Sequence, residues 1–159
     1  MEKKIFYKWT FLMSLILFFT GISFVTGWYM NLYQLDITKL SFVIFAVFFF
    51  YSYKIGVSFF KSVKNKASTD YLKSLRSIAS DRCHRLPELG MLGTVIGLIY
   101  VFYSTVHGIT PEATAQMLSS LGTLSIGIGT ALLTTATGLV CSILLNIQIF
   151  WLEQIINNK

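Results

Sequence analysis

This sequence contains few charged residues. Charged residues make up 13% of the 159-residue chain, and only seven residues are acidic, whereas a soluble domain carries about 25% charged residues. Two long stretches, Leu89–Pro111 and Ala113–Leu152, contain no Asp, Glu, Lys or Arg. This shortage excludes a disordered chain, a nucleic-acid-binding module and most cytosolic enzymes. Hydrophobic residues reach 54% instead, so the lipid bilayer is the expected solvent.

Cysteine is also scarce. Cys83 lies in a basic loop and Cys141 in an apolar run, which excludes a disulfide framework. Cys83 is followed by His84, but there is no second ligand pair, so we expect no metal site. Neither His84 nor His107 has a Ser, Cys or Asp at a useful spacing, and we expect no cofactor and no enzymatic activity.

Four charge-poor runs predict four transmembrane helices, near residues 10–30, 39–59, 88–107 and 118–150. Each run reaches the roughly 20 apolar residues that a spanning helix needs. The first run is too long for the apolar region of a signal peptide, so we expect it to remain uncleaved. The predicted fold class is an all-α integral membrane protein.

The basic residues predict the orientation. Of the 13 Lys and Arg residues, eight lie between Lys54 and Arg85 and three within the first eight positions. Because basic residues mark the cytoplasmic side, both termini and the loop between the second and third helices are expected in the cytoplasm. Basic residues at helix flanks favour membrane lipid, and not nucleic acid, as the partner of this charge.

Composition divides the chain into four parts. Residues 1–60 form a hairpin of two lipid-facing spans, and residues 88–152 form a core hairpin rich in small residues that let helices approach closely. Residues 61–87 are a short basic amphipathic cytoplasmic helix or loop, and residues 153–159 are a short tail. For 61–87 we favour the solvated face of a continuous helix that runs toward the third span over a docking site for a specific partner.

Glycines mark the start of the third helix. Pro87 suits the first turn of a helix, where its missing N–H costs nothing, and this predicts a helix start. Gly90, Gly93 and Gly97 fall on one helical face, and the last two form a small-xxx-small contact motif. These residues predict helix packing within an oligomeric ring.

The fourth helix carries a second smooth face, formed by Gly127, Ala131, Thr134, Gly138 and Ser142. Four threonines fall in the same segment: Thr130, Thr134, Thr135 and Thr137. A threonine can bond a carbonyl of its own helix, so packing alone explains them. The alternative is a polar lining for an ion.

The expected depth of two threonines in the membrane favours the second interpretation, a polar lining for an ion. At 1.5 Å per residue, Thr94 and Thr135 lie about 20 and 24 Å from the outer ends of antiparallel neighbouring helices. Their hydroxyls are therefore expected at one level of the membrane. We predict an ion pathway that includes Thr94, Thr135, Thr130 and Thr134.

At these residues the sequence resembles the MotA/TolQ/ExbB family. The two motifs are P-x-L-G-x-L-G-T-V-x-G in the third helix and G-I-x-x-A-L-x-x-T-A-x-G-L in the fourth. In the third helix the matching residues are Pro87, Leu89, Gly90, Leu92, Gly93, Thr94, Val95 and Gly97. In the fourth they are Gly127, Ile128, Ala131, Leu132, Thr135, Ala136, Gly138 and Leu139. The resemblance covers roughly residues 86–150.

The resemblance implies a homopentameric ring in the bacterial inner membrane, around two copies of a single-span partner of the MotB/TolR/ExbD type. The partner carries a membrane-embedded Asp, ions cross at the interface, and the ring turns about the partner. Thr94 and Thr135 match two pore-facing threonines of the ExbB and TolQ branch. Thr130 stands where that branch has a Glu.

Two differences from the family pattern leave open the branch of the family to which this sequence belongs. The third and fourth helices carry no acidic residue within their charge-free runs, so the partner must bring the carboxylate that an ion pathway usually needs. We expect H⁺ as the transported ion, with Na⁺ as the alternative. Four spans resemble MotA, but the loop at 61–87 is too short for its large cytoplasmic domain.

Other classes remain as alternatives: a holin-like pore, a structural membrane scaffold or a small four-helix carrier. A carrier that couples protons to a substrate would need a membrane carboxylate, which this chain lacks. A pore or scaffold would not need the paired threonine and glycine motifs.

Overall fold

The computed structural model describes residues 2–27, 39–64, 68–106 and 114–157. These residues form α-helices and no strand: α1 (Glu2–Val25), α2 (Leu40–Val63), α3 (Thr69–Val106) and α4 (Thr114–Asn157). Each helix contains a stretch long and apolar enough to cross a membrane. A helix bonds all its backbone polar groups internally, which hydrocarbon requires. The prediction of an all-α protein with four candidate spans is confirmed.

The third helix begins earlier than expected. α3 has 38 residues and runs without a break through Pro87, which lies inside the helix. The prediction that Pro87 starts a helix is therefore wrong, whereas the helix from Thr69 onward continues into the third span, as the favoured interpretation of 61–87 expected. α4 has 44 residues and ends at Asn157, so most of the segment expected as a tail is helical too.

A hydrogen bond from α4 explains how α3 accepts the proline. Pro87 has no N–H to donate to the carbonyl of Cys83, one turn earlier. The Ser142 hydroxyl donates to this carbonyl at 3.0 Å. Membrane helices tolerate proline where a neighbouring hydroxyl bonds the freed backbone group. This partner lies 59 residues away along the chain.

This arrangement makes a testable prediction. We expect Ser142→Ala to lower the free energy of unfolding by about 1–2 kcal/mol, because it leaves a buried carbonyl unpaired. Pro87→Ala restores a backbone N–H, so the same serine replacement should cost less in that background. Denaturant unfolding of the four variants in detergent micelles measures the difference. Equal losses in both backgrounds would contradict the role of Ser142.

α3 and α4 pack as an antiparallel hairpin, α2 lies against both, and α1 packs mainly on α2. The hydrophobic core lies where α2 meets the first half of α3 and the last third of α4. Its fully buried side chains include Ile44, Ile55, Phe59, Leu72, Leu86, Leu145 and Leu152. An ion pair joins the first turns of α3 to the last turns of α4, with Arg76 Nη2 2.7 Å from Glu153 Oε1.

Candidate ion-pathway site

Thr94 of α3 and Thr135 of α4 meet across the helix contact. Their hydroxyl groups are hydrogen-bonded to each other. The Thr94 hydroxyl also lies 3.1 Å from the Gly90 carbonyl of its own helix and 3.0 Å from the Ala131 carbonyl of α4. The Thr135 hydroxyl lies 3.2 Å from the same Gly90 carbonyl. The structure thus brings together the two hydroxyls that the depth argument placed at one level.

Thr134 completes this threonine cluster from the buried side. Its side chain is 1% exposed, and its hydroxyl donates to the Ala131 carbonyl at 2.7 Å. The Gly90 carbonyl lies 3.3 Å away. Thr94 and Thr135 are only partly buried, so they form the accessible edge of the cluster. The side chain of Thr130 lies outside the described part of the structure.

Small residues let the two helices come close enough to form the cluster. A Cβ atom at Gly93 would lie 3.0 Å from the Thr134 hydroxyl oxygen, and one at Gly97 would lie 3.1 Å from Ala131 Cβ. At Gly90 it would lie 3.0 Å from the Thr134 carbonyl oxygen. The face that the sequence predicted for packing therefore serves the contact between α3 and α4 within one subunit.

Two further glycines of α4 lie in this contact, one on each side of the threonine cluster. A Cβ atom at Gly138 would lie 2.7 Å from the Leu86 carbonyl oxygen, and one at Gly127 would overlap the Val101 side chain. A Cβ atom so close to a carbonyl of the facing helix could be accommodated at Gly138 only if α3 and α4 shifted apart. The α3–α4 contact therefore depends on glycine along much of its length.

The chemistry of the cluster is that of neutral oxygen atoms. Each hydroxyl supplies one donor and two acceptor sites, and the Gly90 and Ala131 carbonyls add acceptors. Along Leu89–Val106 of α3 and Thr114–Leu152 of α4 there is no Asp, Glu, Lys or Arg. Within the described ranges, no three His, Cys, Asp or Glu side chains come together as a metal site. The cluster can orient hydrogen bonds or offer oxygen ligands, and it cannot hold a charge itself.

A second buried polar group, which was not predicted from the sequence, joins three helices. The Trp9 indole of α1 donates to Gln148 Oε1 of α4 at 3.2 Å. Gln148 Nε2 in turn donates to the Ser52 hydroxyl of α2 at 2.9 Å. Gln148 and Ser52 are fully buried. An amide in a charge-free run is the signal that could have revealed this group, because membrane helices bury such side chains against partners.

A close contact fixes the tryptophan of this network. A Cβ atom at Gly56 of α2 would overlap the six-membered ring of Trp9, so the indole lies directly on the glycine. The ring also meets Phe59 edge-on, with centroids 6.1 Å apart. Trp9 therefore attaches α1 to the bundle together with the buried Ile5 and with Phe6 and Ile16, which pack against the core.

Comparison with known proteins adds to this geometry. The family model of the MotA/TolQ/ExbB proton channel family matches residues 62–159. No curated protein and no solved structure matches the chain. The matched stretch includes all of α3 and α4, and with them the threonine cluster and the glycines that bring the helices together. The resemblance seen in the two helix motifs is confirmed: this chain belongs to the MotA/TolQ/ExbB proton channel family.

Proposed function

We propose that this chain is the ring subunit of an ion-driven motor in the bacterial inner membrane. Five copies surround two copies of a single-span partner of the MotB/TolR/ExbD type, and both termini of each copy face the cytoplasm. Protons, or less readily Na⁺, cross at the interface with an Asp of the partner. Their flow drives rotation or force.

The observation that carries this proposal is the meeting of Thr94 and Thr135 over the Gly90 carbonyl. In a chain of a proton channel family, a partly exposed pair of hydroxyls in an otherwise apolar hairpin is the natural place for a partner's carboxylate to exchange a proton. A hydroxyl donates to an ionised carboxylate and accepts from a protonated one. Since α3 and α4 bring no carboxylate at this level, the titrating group comes from the partner.

The test replaces both hydroxyls. We expect Thr94→Val with Thr135→Val to reduce proton flux at least about tenfold, since charge-assisted hydrogen bonds of this kind contribute more than a neutral pair. The flux is measured with a pH-sensitive dye in membrane vesicles that contain the chain co-expressed with its neighbouring genes. Valine keeps the side-chain shape, so the ring should still assemble.

Two controls make the result specific. Thr94→Ser with Thr135→Ser keeps both hydroxyls and should keep most of the flux. Thr137→Val removes a hydroxyl that donates to Leu133 of its own helix at 2.8 Å, and should leave the flux unchanged. Normal flux in the double valine variant would contradict the pathway.

One observation favours the scaffold alternative. Every hydroxyl of the cluster already has a partner inside the subunit, as packing alone would require. Native mass spectrometry of the complex separates the two functions. Five copies of this chain with two of a single-span protein supports the motor, whereas a complex without such a protein supports the scaffold.

A further inference from the structure

A cleft of about 360 Å³ lies between α2 and α3, away from the threonine cluster. Three charged side chains line one part of it: Arg82, Arg85 and Glu88. The rest of its wall is apolar and includes Val47 of α2 with Leu89 and Leu92 of α3.

The charged and apolar parts are separated along the axis of α3. Arg82 to Glu88 belong to the charged half of the helix, and the charge-free run begins at Leu89. Ten residues of helix span about 15 Å, so the cleft extends from the charged half of α3 onto its apolar half. A molecule that fills it must be charged at one end and apolar at the other.

Ion pairs formed by the side chains of the cleft determine which charges remain available to a ligand. Arg85 Nε lies 3.1 Å from Asp81 Oδ2, and Arg82 Nε lies 4.0 Å from the same oxygen. One carboxylate cannot neutralise two guanidinium groups, and both arginine side chains remain at least half exposed. One positive charge is left over, close to the negative charge of Glu88. The cleft therefore complements a ligand that carries both signs.

We propose that this cleft is a binding site for phosphatidylethanolamine. The lipid phosphate lies on Arg82 and Arg85, since arginine binds phosphate through paired N–H donors. The primary ammonium donates to the Glu88 carboxylate, and an acyl chain lies along Val47, Leu89 and Leu92. Basic side chains between membrane helices are known to bind lipid headgroups. This site requires only that the chain lies in a membrane, so it stands even if the chain conducts no ion.

The experiment compares three lipids with identical acyl chains. Purified complex in detergent is titrated with phosphatidylethanolamine, phosphatidylcholine and phosphatidylglycerol, and bound lipid is counted by native mass spectrometry. We expect phosphatidylethanolamine to bind about tenfold more tightly than phosphatidylcholine, because a trimethylammonium group cannot donate a hydrogen bond to Glu88. Phosphatidylglycerol, which has no ammonium group, should also bind more weakly.

Variants assign the effect to the cleft. Arg82→Gln with Arg85→Gln should weaken all three lipids about tenfold or more. Glu88→Gln should remove the preference for phosphatidylethanolamine over the other two. Lys73→Gln and Asp70→Asn make matched charge changes on exposed positions of α3 outside the cleft, and they should change neither affinity nor preference.

Two results would overturn the site. Equal binding of the three lipids, unaffected by the arginine and glutamate variants, would leave no headgroup recognition. The second is that the complex retains no lipid while Leu92→Cys cross-links one subunit to another. That would identify a second copy of the chain as the occupant of the cleft.

Discussion

Gly138→Leu is expected to yield no correctly folded protein. A Cβ atom at this position would lie 2.7 Å from the Leu86 carbonyl oxygen and 3.3 Å from Gly90 Cα. Both atoms belong to the backbone of α3 and cannot turn aside as a flexible side chain would. A leucine therefore forces α3 and α4 apart, breaks the threonine cluster and separates Ser142 from the Cys83 carbonyl. Helices in lipid depend on such close packing for their association.

The smaller change gives a measurable loss. We expect Gly138→Ala to lower the free energy of unfolding by about 1–3 kcal/mol, the usual cost of overpacking a tight contact. Gly129 lies on the same helix, and a Cβ atom added there would have no other atom within 4 Å. Gly129→Ala should therefore be neutral, or stabilise α4 by up to about 1 kcal/mol through helix propensity.

Denaturant unfolding of the detergent-solubilised protein, followed by circular dichroism, measures both alanine variants. Recovery of monodisperse protein after extraction measures the leucine variant. The packing argument fails if Gly138→Ala is as stable as Gly129→Ala.

We also expect Gln148→Ala to cause a large loss of stability. Gln148 is fully buried, and its amide links the Trp9 indole to the Ser52 hydroxyl. Alanine leaves both partners unpaired and opens a cavity between three helices. Each of these changes is costly, and together they should lower the free energy of unfolding by about 3–5 kcal/mol.

A second variant separates the cavity from the hydrogen bonds. Gln148→Met nearly preserves the volume and removes only the amide, so its loss should be smaller, about 1–3 kcal/mol. Asn146→Ala on the exposed face of α4 is the matched control, and it should be close to neutral. The same unfolding measurement serves all three. A Gln148→Ala variant as stable as Asn146→Ala would show that α1 does not depend on this network.

Much of the fold followed from local pattern. Charge-free runs predicted the helices because hydrocarbon accepts a spanning chain only when its backbone is bonded internally. The prediction failed at Pro87, where the local preference of proline for a first helical turn suggested a boundary. α3 continues because Ser142, on another helix, bonds the carbonyl that Pro87 frees. A rule about neighbours in sequence cannot include that partner.

In the candidate site, too, the sequence predicted some features and the structure alone revealed others. Spacing on a helix identified Gly90, Gly93, Thr94 and Thr135, and the depth argument brought the two threonines to one level. It did not reveal that the Gly90 carbonyl accepts from the Thr135 hydroxyl across the contact. The roles of these threonines in ion conduction remain predictions.

By itself, the sequence determined the number of candidate spanning helices and the faces that carry small residues, because these depend on composition and on the 3.6-residue period. The resemblance of its two helix motifs indicated the family. Only the tertiary structure decided which groups those faces meet. The Trp9–Gln148 bond joins residues 139 positions apart, and Ser142 reaches Cys83 across 59. Periodicity shows which side of a helix is packed, but the partner depends on the register between helices. That register is set by where backbones can touch, as Gly138 does against Leu86.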